Sequence, residues 1–271
     1  MDRQLPRLVF GDDGSPAADV TWAWIDNHRW PGWRISVVTA QPPQAGAPVG
    51  AARAALHPWQ PPAPRIFSAT DDSTVLEHLL AEADPRLVLN GCAGAALIAV
   101  GPRGQGLMKR LHLGSTSEWL VSAHRPLAPV VVVRTPHPCE RIMLCVDGSV
   151  HAKLAAQTLA RMPWIGQTSI TILGVWRGAE DVERGAAEAA DLLSACRVEV
   201  RIVDAIHDTV TSDVRSNIFD AIDDQQPDLV AMGTRGVGGL RRMVLGSTAS
   251  AVVHHAPCSV LVARVPEAAA D

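Results

Sequence analysis

Apolar and polar positions along this chain switch between two periods, most clearly in its second half. Arg141–Val146 is a short apolar run and predicts a buried strand. Val150–Met162 carries Leu154, Ala155, Leu159 and Met162 at helical spacing, and Pro163 stops it. Thr168–Trp176 reads as a second strand, Ala179–Cys196 as an Ala-, Glu- and Leu-rich helix, and Val198–Val203 as a third strand. Val210–Asp224 is helical, with Val214, Ile218, Ala221 and Ile222 on one side. Leu229–Met232 is a fourth strand, a helix opens at Gly246-Ser247, and Ser259–Ala263 is a fifth strand. Strands alternating with helices mean parallel crossovers and an open α/β sheet covered on both faces. The alternation does not by itself give the strand order.

The first half follows the same pattern less cleanly. Gln41–Pro64 holds seven prolines and reads as a loop. Thr74–Ala83 predicts a helix, with Val75, Leu76, Leu79 and Leu80 placed to face a core. Leu87–Leu89 reads as a strand, yet Asn90–Ala95 is too short for a parallel crossover to the next strand, Ala96–Val100. Either Arg65–Ser68 is the true third strand, or this half has lost an element.

An internal repeat organises the two halves. GPRGQGLMKRLHLGST, from Gly101, aligns without gaps to GTRGVGGLRRMVLGST, from Gly233. Upstream, the Asp-Gly-Ser after the first strand recurs, Asp13 matching Asp147. Downstream, PVVVVR matches SVLVAR. The predicted domains are 1–135 and 139–266, joined at the proline-broken Thr135-Pro136-His137-Pro138.

Composition narrows the class. The 271 residues are 47% apolar and 19% charged, with a net charge of −4, which fits a folded chain and gives no basic excess for nucleic acid. No apolar run approaches the ~20 residues of a membrane span, and MDRQLPRLVF lacks a signal pattern. The expectation is a cytoplasmic protein with no membrane or nucleic-acid partner. Five cysteines without CxxC spacing read as small buried hydrophobes. Tyr is absent while Trp occurs eight times, a bias the sequence ties to no function.

The repeated glycines carry the candidate chemistry. Gly101, Gly104, Gly114 and Ser115 in the first half match Gly233, Gly236, Gly246 and Ser247 in the second. The first glycine ends a strand, and the last Gly-Ser opens a helix. That arrangement suits phosphate: glycines let backbone approach, and a helix N-terminus offers unsatisfied N–H groups and a positive dipole end. Ser115, Thr116, Ser247 and Thr248 add hydroxyls or simply cap. Asp13 and Asp147 lie where ligands sit in open sheets, able to accept from a ribose or an adenine amine, or to form an Asx turn before a helix. Arg103 and Arg235 could meet phosphate or stay exposed. His254-His255 are adjacent, a poor metal pair on a helix, and His151 reads as a solvated helix-start residue.

These residues together resemble a tandem universal stress protein, at both Asp-Gly-Ser turns, both Gly-x2-Gly-x9-Gly-Ser motifs and the terminal HHAPCSVLVAR. The resemblance implies two five-stranded parallel sheets with helices on both faces, strand order 3-2-1-4-5. It implies ATP binding with Mg2+, Asp13 and Asp147 at the adenosine end, Thr39 and Val175 against adenine, and the motif glycines and serines on ribose and phosphates. It also implies pairing through the fifth strands, Val130–Val133 with Val260–Val262, within one chain, with a homodimer left open. The proline-rich segment and irregular third-strand region depart from the family pattern on the adenine side of the first site.

An enzyme should show a catalytic set. GxxxxGK[ST], GxGxxG after either first strand, and GxSxG are all absent. The favoured reading is a nucleotide-binding regulatory, stress-response protein and not an enzyme. The alternatives are a slow ATPase and an interaction scaffold with one or both sites vestigial.

Overall fold

The computed structural model describes residues 5–41, 62–68, 73–92, 94–103, 113–122, 128–176, 180–204, 214–234 and 245–265. The first half runs β1 (Arg7–Gly11), α1 (Pro16–Asn27), β2 (Arg34–Gln41), β3 (Val75–Glu82), α2 (Pro85–Gly91), β4 (Ala95–Val100), α3 (Ser115–Val121) and β5 (Val130–Val132). The second runs β6 (Arg141–Val146), α4 (Val150–Ala160), a 3-10 turn, β7 (Ser169–Trp176), α5 (Glu180–Leu192), β8 (Arg197–Asp204), α6 (Val214–Gln225), β9 (Leu229–Gly233), α7 (Ser247–His255) and β10 (Ser259–Ala263). All ten strands form one sheet in the order β3-β2-β1-β4-β5-β10-β9-β6-β7-β8. Each half therefore has the expected 3-2-1-4-5 order. Every described pairing is parallel except the seam, where Val130, Val131 and Val132 lie antiparallel to Val262, Leu261 and Val260.

Two apolar layers follow from strand alternation. Leu8, Phe10, Ile35, Leu97 and Val131 share one face with Leu144, Ile172, Ala231 and Leu261, under α1, α4 and α5. Val9, Val38, Ile98 and Val132 share the other with Met143, Val230 and Val260, under α2, α3, α6 and α7. Both layers cross the seam without a break. Cys92, Cys139, Cys145 and Cys258 are buried thiols and Cys196 is half-buried. Burial pushes the Cys145 thiol up to about 12, as expected of a small hydrophobe in a core. No helix among the described residues is long and apolar enough to cross a membrane.

The third-strand region corrects the sequence reading. Val75–Glu82 is strand β3, not a helix, and pairs in parallel with β2 along its whole length. Leu87–Leu89 lies in α2, and Arg65–Ser68 belongs to no strand. β3 is an edge strand, with Leu80 73% and Val75 39% exposed, so its burial does not alternate and its apolar spacing mimics a helix. Glu77 fixes it instead, bonding the Ser36 hydroxyl, Arg34 and Arg7 of the neighbouring strands. Hydrogen bonds to these groups hold the Glu77 carboxyl below its ordinary range, although partial burial works the other way.

The tryptophan bias has a structural account. Trp24 and Trp30 of the first half meet Trp164 of the second, each edge-on with ring centroids 6.0 Å apart. His28 lies 4.1 Å from the Trp164 ring. Its Nδ1 donates to Trp24 O (2.6 Å), and its Nε2 accepts from the Cys139 amide (2.9 Å), so the seated ring is neutral. Trp24 Nε1 donates to Cys139 Sγ, and Asn27 Nδ2 to Pro136 O. This buried patch fastens α1 to the connection between the halves.

Burial pushes His28 down from 6.5 to about 4, against the raising effect of its bond to Trp24. Its folded value lies below the unfolded one, so its contribution is complete above pH 6.5 and lost as pH falls towards 4. The expected loss is roughly 3 kcal/mol over that window. Urea unfolding across pH 7 to 4 should show a shallower acid slope for His28→Gln than for the parent; equal slopes would contradict the assignment.

Candidate functional site

The Asp-Gly-Ser turns divide their work in the same way in both halves. Asp13 and Asp147 each accept from the serine amide two residues on, at 3.0 Å. Gly14 and Gly148 take φ of +68° and +79°, which favours glycine. Ser15 and Ser149 then cap α1 and α4, accepting from Ala18 N and Ala152 N. The Asx-turn alternative is thus realised for both aspartates. The second carboxylate oxygen of Asp147 has no partner among the described residues.

β4 and β9 deliver the first motif glycines against these turns. A Cβ at Gly101 would lie 2.9 Å from Ala17 O, and one at Gly233 would lie 2.8 Å from Ala152 N. Close packing of strand on helix start therefore requires both glycines, whatever they bind. Ser15 Oγ reaches Arg103 O at 3.4 Å, and the Arg103 side chain is exposed. Thr39 is buried one residue past Val38, whose carbonyl accepts from Asp12 N. Val175 lies one residue past Gly174, the register partner of Val146. Each thus stands beside its aspartate at the carboxyl edge of the sheet. Gly104, Arg235 and Gly236 lie outside the described residues.

The motif's far end forms the helix starts. Gly114 N donates to Pro102 O (2.6 Å) and Gly246 N to Thr234 O (2.7 Å), closing each loop. Gly114 and Gly246 are N-caps without a side-chain cap bond, so α3 and α7 begin with uncapped amides. Ser115 and Ser247 are exposed, while Thr116 and Thr248 are half-buried. Beside the α7 start, Thr234 is only 2% exposed and its Oγ1 has no hydrogen-bond partner among the described residues. A buried, unsatisfied hydroxyl is costly and needs a reason. Sequence reasoning passed over Thr234, although its counterpart Pro102 differs from it in the aligned motif.

At the first half's strand end the sequence also missed an ion pair. Arg65 donates to both carboxylate oxygens of the buried Asp12, through Nε (2.6 Å) and Nη2 (3.0 Å), and meets Asp19 at 2.8 Å. The bond to Asp12 above all holds the guanidinium proton more tightly than usual. In the second half Val146 matches Asp12, and α5 lies over the turn, Gly185 against Gly148. Residues 62–68 therefore pack where α5 packs in the other half, Phe67 stacking on Trp22. No signal in the proline-rich segment marks Arg65. His151 lies at the start of α4 as read, but it is half-buried and its Nδ1 accepts from Val265 N (3.0 Å), tying the segment after β10 to α4. His254 and His255 lie in the last turn of α7. Among the described residues, no group of three or more His, Cys, Asp or Glu could hold a metal ion.

The fold and these edges define a doubly wound α/β protein built from two joined copies. Residues 138–264 match the model of the universal stress protein family. A universal stress protein of Mycolicibacterium smegmatis is 28% identical over 231 residues, covering 79% of this chain and 76% of the relative. One of Mycobacterium tuberculosis is 30% identical over 195 residues, covering 64% of this chain and 60% of the relative, so the match spans less than two thirds of that protein. A universal stress protein structure from Archaeoglobus fulgidus aligns over 96% of this chain and 99% of its own, with a TM-score of 0.63 at 17% identity. A Pseudomonas aeruginosa protein of unknown function aligns over 96% and 92%, with a TM-score of 0.53 at 13% identity. The structural matches concern the fold. The sequence matches are to universal stress proteins, the family model over the second half of this chain and the relatives over up to 79% of it.

Two stability predictions follow from the strand ends. Arg65→Ala strands a buried carboxylate and should cost about 3–5 kcal/mol in urea unfolding, whereas Asp12→Val with Arg65→Met should recover most of it. Gly233→Ala should lower stability by about 1–3 kcal/mol with no ligand present, because the clash is with α4 backbone.

Proposed function

We propose that this chain is an adenine-nucleotide-binding universal stress protein. Its copies are residues 1–135 and 139–266, and nucleotide occupancy regulates its contacts in a cytoplasmic stress response. The observation that carries the reading is the buried Thr234 hydroxyl, without a partner among the described residues, beside the uncapped start of α7. Both lie at the carboxyl ends of β6 and β9, where the chain winds away in opposite directions, the usual ligand position in open α/β sheets.

The donor set fits a phosphate group. The amides of Ser247, Thr248 and Ala249 have no intrahelical acceptor, the helix dipole favours an anion, and the hydroxyls of Thr234, Ser247 and Thr248 supply further donors. Asp147 has one carboxylate oxygen to accept from a ribose hydroxyl, and Val175, one residue past the strand partner of Val146, is the residue proposed to meet adenine. Arg235 and Gly236 complete the motif in sequence. In the first half, Asp13, Thr39, Gly101, Arg103, Gly104, Gly114, Ser115 and Thr116 are the matching set. Mg2+ accompanies the triphosphate and takes phosphate oxygens and water as ligands. The fifth strands are used within one chain, so a homodimer would need another face.

Thr234→Val separates binding from folding. Removing an unpaired buried hydroxyl should leave the ligand-free protein as stable or more so, by up to about 1 kcal/mol. Affinity for ATP with Mg2+ should fall about tenfold. Calorimetric titration with thermal unfolding reads both. Absence of heat and of any thermal shift at millimolar ATP in the parent would sink the nucleotide reading. A turnover assay on the same sample separates a binder from a slow ATPase.

A further inference from the structure

We infer that the chain holds one nucleotide, in its second half, and that the matching end of the first half, α3 and the segment after β5, serves as a support for α7. The inference rests on the nucleotide reading above and concerns which of the two matched sites keeps it.

The halves differ at matched positions in the motif and in the helix turn it opens. Thr234, with its buried hydroxyl, is matched by Pro102, which offers no hydroxyl and no amide. Ala249, in the first turn of α7, is matched by Ser117, whose hydroxyl is spent on Gly101 O at 2.7 Å. Ser250 is matched by Glu118, which puts a carboxylate in the first turn of α3, while α7 has no acidic residue in its first turn. A carboxylate there opposes a second anion at the same helix end. α3 is also the shorter helix, seven residues against nine, and so the weaker dipole source.

Glu118 has another use. Its Oε2 meets Nε2 of His254 at 2.9 Å, while His254 Nδ1 lies 2.7 Å from Ser250 O. Arg134, which follows β5, donates to Val253 O and to Cys258 O. Its amide also donates to the Ser259 hydroxyl at 3.1 Å. Two side chains of the first half thus grip the C-terminal turn of α7 and the turn beyond it. That is the end opposite the start that faces the proposed phosphate.

The test is the stoichiometry of ATP with Mg2+ on the full chain by calorimetry, beside Gly246→Asp. Aspartate is a favoured N-cap residue and suits the extended backbone at Gly246 (φ −65°, ψ 152°), so this variant should unfold no lower than the parent. It places a carboxylate where the phosphate would sit. One nucleotide per parent chain, and at least a hundredfold loss of affinity with no residual site in Gly246→Asp, are the expected results. Two nucleotides per parent chain, or one site surviving at parent affinity in a folded Gly246→Asp, would overturn the inference and leave the nucleotide reading standing. No binding to the parent would overturn both.

Discussion

Three residues on each side of the β5–β10 seam join everything else. Val130–Val132 and Val260–Val262 are almost wholly buried, and their antiparallel pairing turns two edge-bearing sheets into one. An exposed row of unpaired amides and carbonyls invites uncontrolled association, and closing two such rows against each other removes the hazard at the centre. The pairing also sets the symmetry. It brings α3 beside α7 and places Arg134 of one half at the end of the other's last helix.

Around that seam the copies have diverged in physical role. The second half keeps a full complement of helices and an uncapped helix start with a spare hydroxyl. The first half lets residues 62–68 pack where α5 would lie. Its Asp12–Arg65 pair satisfies a carboxylate that the second half replaces with Val146. A buried pair of this kind is weak evidence for net stability, since desolvation offsets much of the attraction. It does fix the position of the segment, because neither charge is tolerable alone. The aromatic patch of Trp24, Trp30 and Trp164 with His28 adds a second fastening on the opposite face from α3 and α7. The halves are thus held on both sides of the sheet.

The glycine motif combines two constraints that sequence reading merges. Gly101 and Gly233 are needed for the approach of strand to helix, a packing demand independent of any ligand. Gly114 and Gly246 begin helices in ordinary extended backbone geometry, which does not itself call for glycine. A repeated glycine pattern therefore indicates one geometry with two causes, strand-to-helix packing at its start and a helix N-cap at its end.

The repeat, the strand–helix alternation, the capping turns and the five-strand order implied by resemblance were legible in the chain, because they rest on local periodicity and on residues with narrow conformational preferences. β3 was not, because an edge strand lacks the burial contrast that makes alternation visible, and only its pairing with β2 identifies it. The tryptophan patch, the Arg65–Asp12 pair and the Glu118–His254 contact join residues far apart in sequence, so no local pattern records them. By itself the sequence determined the repeat, the strands and helices of the second half and the two Asp-Gly-Ser turns, which rest on local pattern. The tertiary structure decided which half keeps a hydroxyl beside uncapped amides and which spends its carboxylate on the neighbouring helix, because burial and partnership arise only when the two halves pack.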